Sequence, residues 1–327
     1  MVFLRSLASL VLVSSLGLQV LAASTTTKST TTKSSTKTTT TKTSTKTTTT
    51  KTSTRTSSTA APTSTSSRGS WSWPNWNSYS DSTDAQWQAA WNITNWSYPH
   101  TSGENHNIVA NPTDSSEKVL RVFYPAGSYK PSSTPVGGIG FYASPLNIPA
   151  NANTVTFTYQ VYFSSGYNFV QGGKLPGLYG GHDDCSGGND AETCFSTRNM
   201  WRTSGQGESY LYIPKDAQVS SICSNSLVIC NSDYGYSVGR GTFDWNTGSW
   251  NTITQVLQLN TVGQQDGAIT EIHGSSTAYN LGQLVFRQSN YGVAGIDFET
   301  FFGGSTSAWA TPTDQYTYYR GLSLSYN

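Results

Sequence analysis

The stretch NTVTFTYQVYF, residues 153–163, alternates without a break. Val155, Phe157, Tyr159, Val161 and Phe163 fall on one side; Thr154, Thr156, Thr158, Gln160 and Tyr162 fall on the other. A period of two is the mark of a half-buried strand, because successive side chains point to opposite faces of a sheet. Residues 209–213, 252–259, 268–273, 283–287 and 321–326 are similar β-rich runs, separated by clusters of Gly, Asn, Asp and Pro. No stretch sustains a 3.6-residue period. Many short strands of this kind predict an all-β chain, folded as one β-sandwich of jelly-roll type. Such a sandwich offers a concave sheet face that can line a substrate groove for a linear polymer.

The sandwich accounts for residues 69–327 only. Residues 1–23 read as an export signal: Arg5 is the positive head, residues 7–21 are largely apolar, and Val20-Leu21-Ala22 fits a cleavage point. The apolar run is too short and too Ser-rich to span a membrane. Residues 24–68 hold 34 Ser or Thr and eight Lys or Arg among 45 residues. Nothing in them can seed a core, so they are expected to be a disordered linker. Dense hydroxyls in an exported chain point to an O-glycosylated stalk, and its lysines offer a hold on an anionic cell wall. The net charge of +1 hides an asymmetry: residues 69–327 carry ten bases against eighteen acids, a net charge of −8. That sign argues against nucleic-acid binding. The expectation is a secreted, extracellular monomer, bound neither to nucleic acid nor to membrane.

Four cysteines agree with export. They form two close sets, and the expected bridges are Cys185–Cys194 and Cys223–Cys230, with the two other pairings left open. A zinc site built from all four thiolates is the rival reading, but spacings of nine and seven are too wide for one. Six of the ten tryptophans fall between Trp71 and Trp96. They are either a platform for sugar rings or, the reading favoured here, a clamp docking the N-terminal arm on the body. Asn92-Ile93-Thr94 and Asn95-Trp96-Ser97 are glycosylation sequons, which places Asn92 and Asn95 at the surface.

Residues 171–214 read QGGKLPGLYGGHDDCSGGNDAETCFSTRNMWRTSGQGESYLYIP. Alternation along 195–202 puts Ser196, Arg198, Met200 and Arg202 on one face and Phe195, Thr197, Asn199 and Trp201 on the other. On the next run Tyr210 and Tyr212 share a face, and the short Gly- and Ser-rich connection makes the two runs a hairpin. The expected product is a face displaying Ser, Arg and two phenols, with apolar residues packed behind. Gly172-Gly173 before Lys174 leaves the backbone open to close approach by a ligand.

GGKLPGLYGG followed by FSTRNMWR and YLY resembles polysaccharide lyase family 14 and the related fungal family 20. The resemblance runs from about Asp84 to the C-terminus and includes FFGG at 301–304. It implies a β-jelly-roll lyase acting on an anionic polysaccharide, alginate or glucuronan. Carried over by motif, its functional positions are Lys174, Ser196, Arg198, Tyr210 and Tyr212.

The residue types suit that chemistry. Cleaving a 4-linked polyuronate by β-elimination means removing the C5 proton beside a carboxylate and expelling the sugar at O4. Arg198 has the planar fork that matches the carboxylate, and Lys174 adds charge against the enolate-like transition state. A tyrosine serves as base and returns a proton to the leaving oxygen. Its phenol is expected to be lowered in pKa by Lys174 and Arg198. Ser196 and Arg202 are assigned to substrate binding, and His182 is the rival base. No cofactor is expected; Asp183, Asp184, Asn189 and Asp190 offer a structural calcium site but lack the spacing of a calcium loop. Glucuronan is expected to be preferred to alginate, from the fungal-looking stalk and the family resemblance. Two other functions are weighed: a glycoside hydrolase using Asp297 and Glu299, which share a strand face, and a non-catalytic lectin-like sandwich. The linker yields the first prediction. Deleting residues 24–68 leaves turnover of soluble substrate and the melting temperature nearly unchanged; a large fall in both would place the segment in the folded body.

Overall fold

The computed structural model describes residues 68–98 and 105–327; the expected export signal, the linker up to residue 67 and His100 lie outside them. Two sheets form a sandwich. One runs in the order Ser276–Leu284, Gly267–His273, Trp250–Gln258, Thr154–Phe163, Gln315–Tyr326, Asp114–Tyr124 and His106–Asn111, with Gly69–Trp73 added beside Gln315–Tyr326. The other runs Val228–Ile229, Tyr236–Val238, Gly207–Tyr212, Phe195–Arg202, Gly172–Leu175, Val293–Phe302, Ile139–Ala143 and Ile93–Tyr98. Gly177–Gly180 pairs with both Phe195–Arg202 and Val293–Phe302. Crossovers between non-consecutive strands make this a jelly-roll arrangement rather than a meander.

The alternation at 153–163 holds: Val155, Phe157, Tyr159, Val161 and Phe163 all point into the core. Phe141 and Phe298 stack at 4.8 Å from neighbouring strands of the second sheet. The tryptophans clamp the arm. Trp76, Trp87 and Trp91 are fully buried, and Trp91 meets Trp71, Trp73 and Trp87 at centroid distances of 5.2, 5.9 and 5.6 Å.

Two local expectations change. Residues 283–287 are not a strand of their own. The strand is Ser276–Leu284, and beyond it the main-chain N–H groups of Val285, Phe286 and Arg287 bond to the side chains of Gln218 and Asn260 instead of a ladder. A seven-residue helix, Asp84–Ala90, also forms. It is too short to show a period, and it is held by Asp84, which accepts from Trp87 Nε1 at 2.8 Å and contacts His106 Nε2 at 2.8 Å.

The layer behind Phe195–Arg202 and Gly207–Tyr212 is not apolar throughout. Phe195, Trp201 and Leu211 pack as expected, but Thr197, Asn199 and Ser209 join a buried polar network with the opposite sheet. Glu271, wholly buried, accepts from Asn199 Nδ2 at 2.9 Å, Ser209 Oγ at 2.8 Å and Gln255 Nε2 at 3.2 Å. Tyr159 donates to Asn199 and Tyr279 to Ser209. Every polar group of such a network must find a partner, because an unpaired one in low dielectric is costly. Burial pushes the Glu271 carboxyl up from 4.5 to about 7, against the pull of its hydrogen bonds to Ser209, Asn199 and Gln255.

The sign of the consequence follows by linkage. Between about 4.5 and about 7 the folded chain keeps a proton on Glu271 that the unfolded chain has released, so this group makes stability fall as pH rises through that window. Denaturation midpoints measured across it should fall more steeply for the wild type than for Glu271→Gln. Parallel curves would contradict the assignment.

Candidate active site

The hairpin fixes the first part of the site by register. Tyr210 lies opposite Arg198, Tyr212 opposite Ser196 and Glu208 opposite Met200. On the other flank Lys174 lies opposite Met200, and Phe301 lies opposite Lys174. Alternation along Val293–Phe302 then adds Asp297 and Glu299 to the same outer face of the second sheet. This face therefore gathers Arg198, Arg202, Tyr210 and Tyr212, as the alternation predicts, and the register adds Lys174.

Lys174 extends its Nζ to Met200 Sδ at 2.8 Å and over the Tyr210 ring, 3.8 Å from the centroid. The residue is half-buried. Burial, and next the charges of Arg198 and Arg202, drive its pKa well below the usual lysine range. The phenols move the other way. Burial, with Tyr212 adding to it, raises Tyr210; burial also raises Tyr212, opposed by Arg198 and by the main-chain N–H groups of Gly188 and Gly187. This corrects the expected lowering of the phenol pKa: desolvation outweighs the neighbouring cations, so both phenols are raised while the lysine is lowered.

Arg198 is 1% exposed. Its Nε lies 3.3 Å from Asp297 Oδ2, and its Nη1 pairs with Glu299 Oε2. Ser97 Oγ also reaches Glu299. The expected fork for a substrate carboxylate is therefore turned onto two protein carboxylates, and it stands 5.9 Å from the Tyr212 ring. Burial raises Asp297 to about 6, while Arg198 and Lys174 oppose the rise. Asp297 and Glu299 share one guanidinium, so the separate acid and base that a hydrolase needs are absent from this pair. Arg202 is more exposed, at 13% of its side chain, and pairs with Glu208. Glu208 is itself wholly buried and is also held by Arg240 and Ser237.

Three assignments change place. Ser196 is buried and donates to the Cys185 carbonyl at 2.7 Å, so it anchors the neighbouring loop. His182 sits in that loop, exposed, with one ring nitrogen on the Asp183 carbonyl and the other on Thr193 Oγ1. The space at Gly172-Gly173 is taken by protein: a Cβ on Gly173 would meet the Trp201 ring at 2.0 Å, and one on Gly172 would meet the Trp201 carbonyl at 2.7 Å. Both expected disulfides, Cys185–Cys194 and Cys223–Cys230, are formed. Asn92 and Asn95 are exposed. Among the described residues no three His, Cys, Asp or Glu side chains gather as for a metal ion, and no helix is long and apolar enough to cross a membrane.

Glu208 was legible in principle, two residues before Tyr210 on the same face. Tyr142, whose ring meets Tyr179 at 4.8 Å beside Asp297, carries no sequence signal.

The family model for polysaccharide lyase 14 matches residues 112–322. Among solved structures, the marine PL-14 alginate lyase of Aplysia kurodai is 34% identical with a TM-score of 0.68, over 78% of this chain and 97% of that one. The alginate lyase vAL-1 of a Chlorella virus is 23% identical with a TM-score of 0.60, over 75% and 97%. Exolysin of Paramecium bursaria Chlorella virus 1 is 27% identical over 196 residues; the match spans 50% of this chain and 28% of exolysin.

Arg198→Lys tests the triad. Lysine keeps one charge but cannot hold two carboxylates in a fork, and a buried carboxylate left without its partner costs roughly 3–5 kcal/mol. Chemical denaturation at neutral pH should show a loss of that order. Wild-type stability in the variant would mean that the triad does not hold the strands.

Proposed function

The chain belongs to the polysaccharide lyase 14 family, and on that premise we propose that it cleaves a 4-linked polyuronate by β-elimination. The observation that carries this reading is the Lys174 amine seated 3.8 Å from the Tyr210 ring centroid, with its pKa driven well below the usual lysine range and a second phenol alongside. A neutral amine beside protonated phenols is a base next to an acid, the pair that the elimination requires.

The Lys174 amine takes the C5 proton of the uronate. The electron pair of that bond forms the C4=C5 double bond, and the C4–O4 bond breaks. The pair left on O4 takes the proton of a tyrosine. The products are a chain with an unsaturated uronate at its new non-reducing end and a saturated chain with a free reducing end. Lys174 finishes as an ammonium and the tyrosine as a phenolate, and exchange with solvent restores both. Arg202, the more exposed guanidinium of its strand, meets the uronate carboxylate. Arg198 stays with Asp297 and Glu299 and lends its charge to Tyr212.

Alginate is the substrate class favoured here, because a relative 34% identical over most of this chain is an alginate lyase. The expected preference for glucuronan rests on the stalk, whose residues up to 67 lie outside the described ones, and on the resemblance to the fungal family 20. No metal takes part in the proposed steps. Two disulfides fit a protein that works outside the cell.

Incubation with alginate and with glucuronan should produce ultraviolet-absorbing unsaturated ends, faster with alginate. Lys174→Ala should lose about 10²–10⁴-fold in kcat, the usual worth of an acid–base group, and added methylamine should restore part of it. New reducing ends without absorbance would show hydrolysis instead, and unaltered chains would leave only binding.

A further inference from the structure

Glu208 lies opposite Met200 on the hairpin and is wholly buried. A carboxylate enclosed in this way needs donors on both of its oxygens. Arg202 gives its Nε and Nη2 to Oε1, at 2.7 and 2.5 Å. Arg240 gives its Nε to Oε2 at 2.6 Å, where Ser237 Oγ also donates at 2.6 Å. Two guanidinium groups against one carboxylate leave this cluster with a surplus of one positive charge. Arg240 has a fixed place. Tyr236–Val238 pairs with Gly207–Tyr212 so that Ser237 lies opposite Tyr210. The chain then turns: the Thr242 N–H bonds to the Gly239 carbonyl at 3.0 Å, and the Gly241 N–H to the Gly207 carbonyl at 3.0 Å. Gly239 stands at φ +69°, and a Cβ there would meet the Tyr279 ring at 2.2 Å, so only glycine fits. Arg240, the next residue, keeps 33% of its side chain exposed. Every hydrogen bond it makes to the described residues runs through Nε, which leaves Nη1 and Nη2 for a ligand.

We propose that Arg240 is a second carboxylate-binding residue, taking a uronate next to the one held at Arg202, and that Glu208 is the positioning residue for both guanidinium groups. This rests on the polyuronate reading given above. The two terminal nitrogens of a guanidinium offer parallel N–H bonds to both oxygens of a carboxylate. The Nε bond to Glu208 sets the plane of that fork in advance, so less freedom is lost when the ligand binds. Arg202 stands 5.6 Å from the Tyr210 ring centroid, and Arg240 lies one strand further out, on the side of Ser237. A chain crossing this end of the face therefore meets two cations in succession. Consecutive acidic sugars satisfy both; a neutral polymer satisfies neither.

Calorimetry on the Lys174→Ala protein reads binding apart from turnover, with an alginate tetrasaccharide and its carboxyl-reduced, neutral counterpart as probes. Adding Arg240→Gln should weaken the charged probe about tenfold, the low end for a hydrogen bond to a charged group, and leave the neutral probe unchanged. Arg240→Lys, which keeps the charge without the fork, should restore only part. Glu208→Gln should act in the same direction and with the same selectivity for the charged probe, which a merely structural role would not show. If that buried variant does not fold, the exposed Arg240→Gln still decides. In the otherwise wild-type protein Arg240→Gln should raise KM for alginate with kcat little changed. Loss of charge-selective binding in Arg240→Gln, with a wild type that releases no unsaturated ends, would overturn the lyase reading and support the carboxylate site. Unchanged affinity in Arg240→Gln, equal weakening of both probes, or no binding of the tetrasaccharide to the Lys174→Ala protein would overturn the proposal itself.

Discussion

A single guanidinium holds the functional face together. Arg198 lies on Phe195–Arg202, and its two carboxylate partners lie on Val293–Phe302, about a hundred residues later in the chain. The pair of strands between them, Gly172–Leu175 and Gly177–Gly180, brings in Lys174. Three buried charges in contact tolerate little rearrangement, because separating any one strands an ion in low dielectric. The triad thus fixes where the two phenols stand relative to the lysine, and it carries positive charge to Tyr212 without exposing that charge to solvent.

Burial is the second constraint, and it sets the chemistry. In water lysine is charged and tyrosine neutral. Burial of Lys174 beside Met200 and Tyr210, with the charges of Arg198 and Arg202, lowers the amine's pKa well below the usual lysine range, while burial raises both phenols above theirs. One physical cause therefore shifts the amine and the phenols in opposite directions. The front of the sheet is charged and the back carries the Glu271 network beside Phe195, Trp201 and Leu211, so the two hairpin strands carry polar groups on both faces. Register on such strands is weakly specified by hydrophobicity alone. Here the paired hydrogen bonds of Thr197, Asn199 and Ser209 to the opposite sheet supply it.

The disulfide loop joins these two constraints. It covers the phenols from outside as the polar network supports them from inside, and its anchor is Ser196 of the same strand. A resemblance in motif had assigned that serine to substrate. The structure gives it to the Cys185 carbonyl, a contact made possible because the bridge brings the loop back over the strand on which Ser196 lies.

How much was readable in advance follows from which interactions are local. Alternation is local, so the face shared by Ser196, Arg198, Met200 and Arg202, the face shared by Tyr210 and Tyr212, and the inward row from Val155 to Phe163 were all legible. So were the two bridges, whose cysteines lie nine and seven residues apart, and the clamping role of Trp71 to Trp91. The partners of Arg198, the enclosure of Lys174 and the polar layer around Glu271 were not. Each depends on which strands the jelly-roll crossovers make neighbours, and a pKa depends on what surrounds a group rather than on what it is. Sequence by itself determined which side chains face together along each strand; only the tertiary structure decided what they face, because charge, burial and desolvation are set by contacts between strands far apart in the chain.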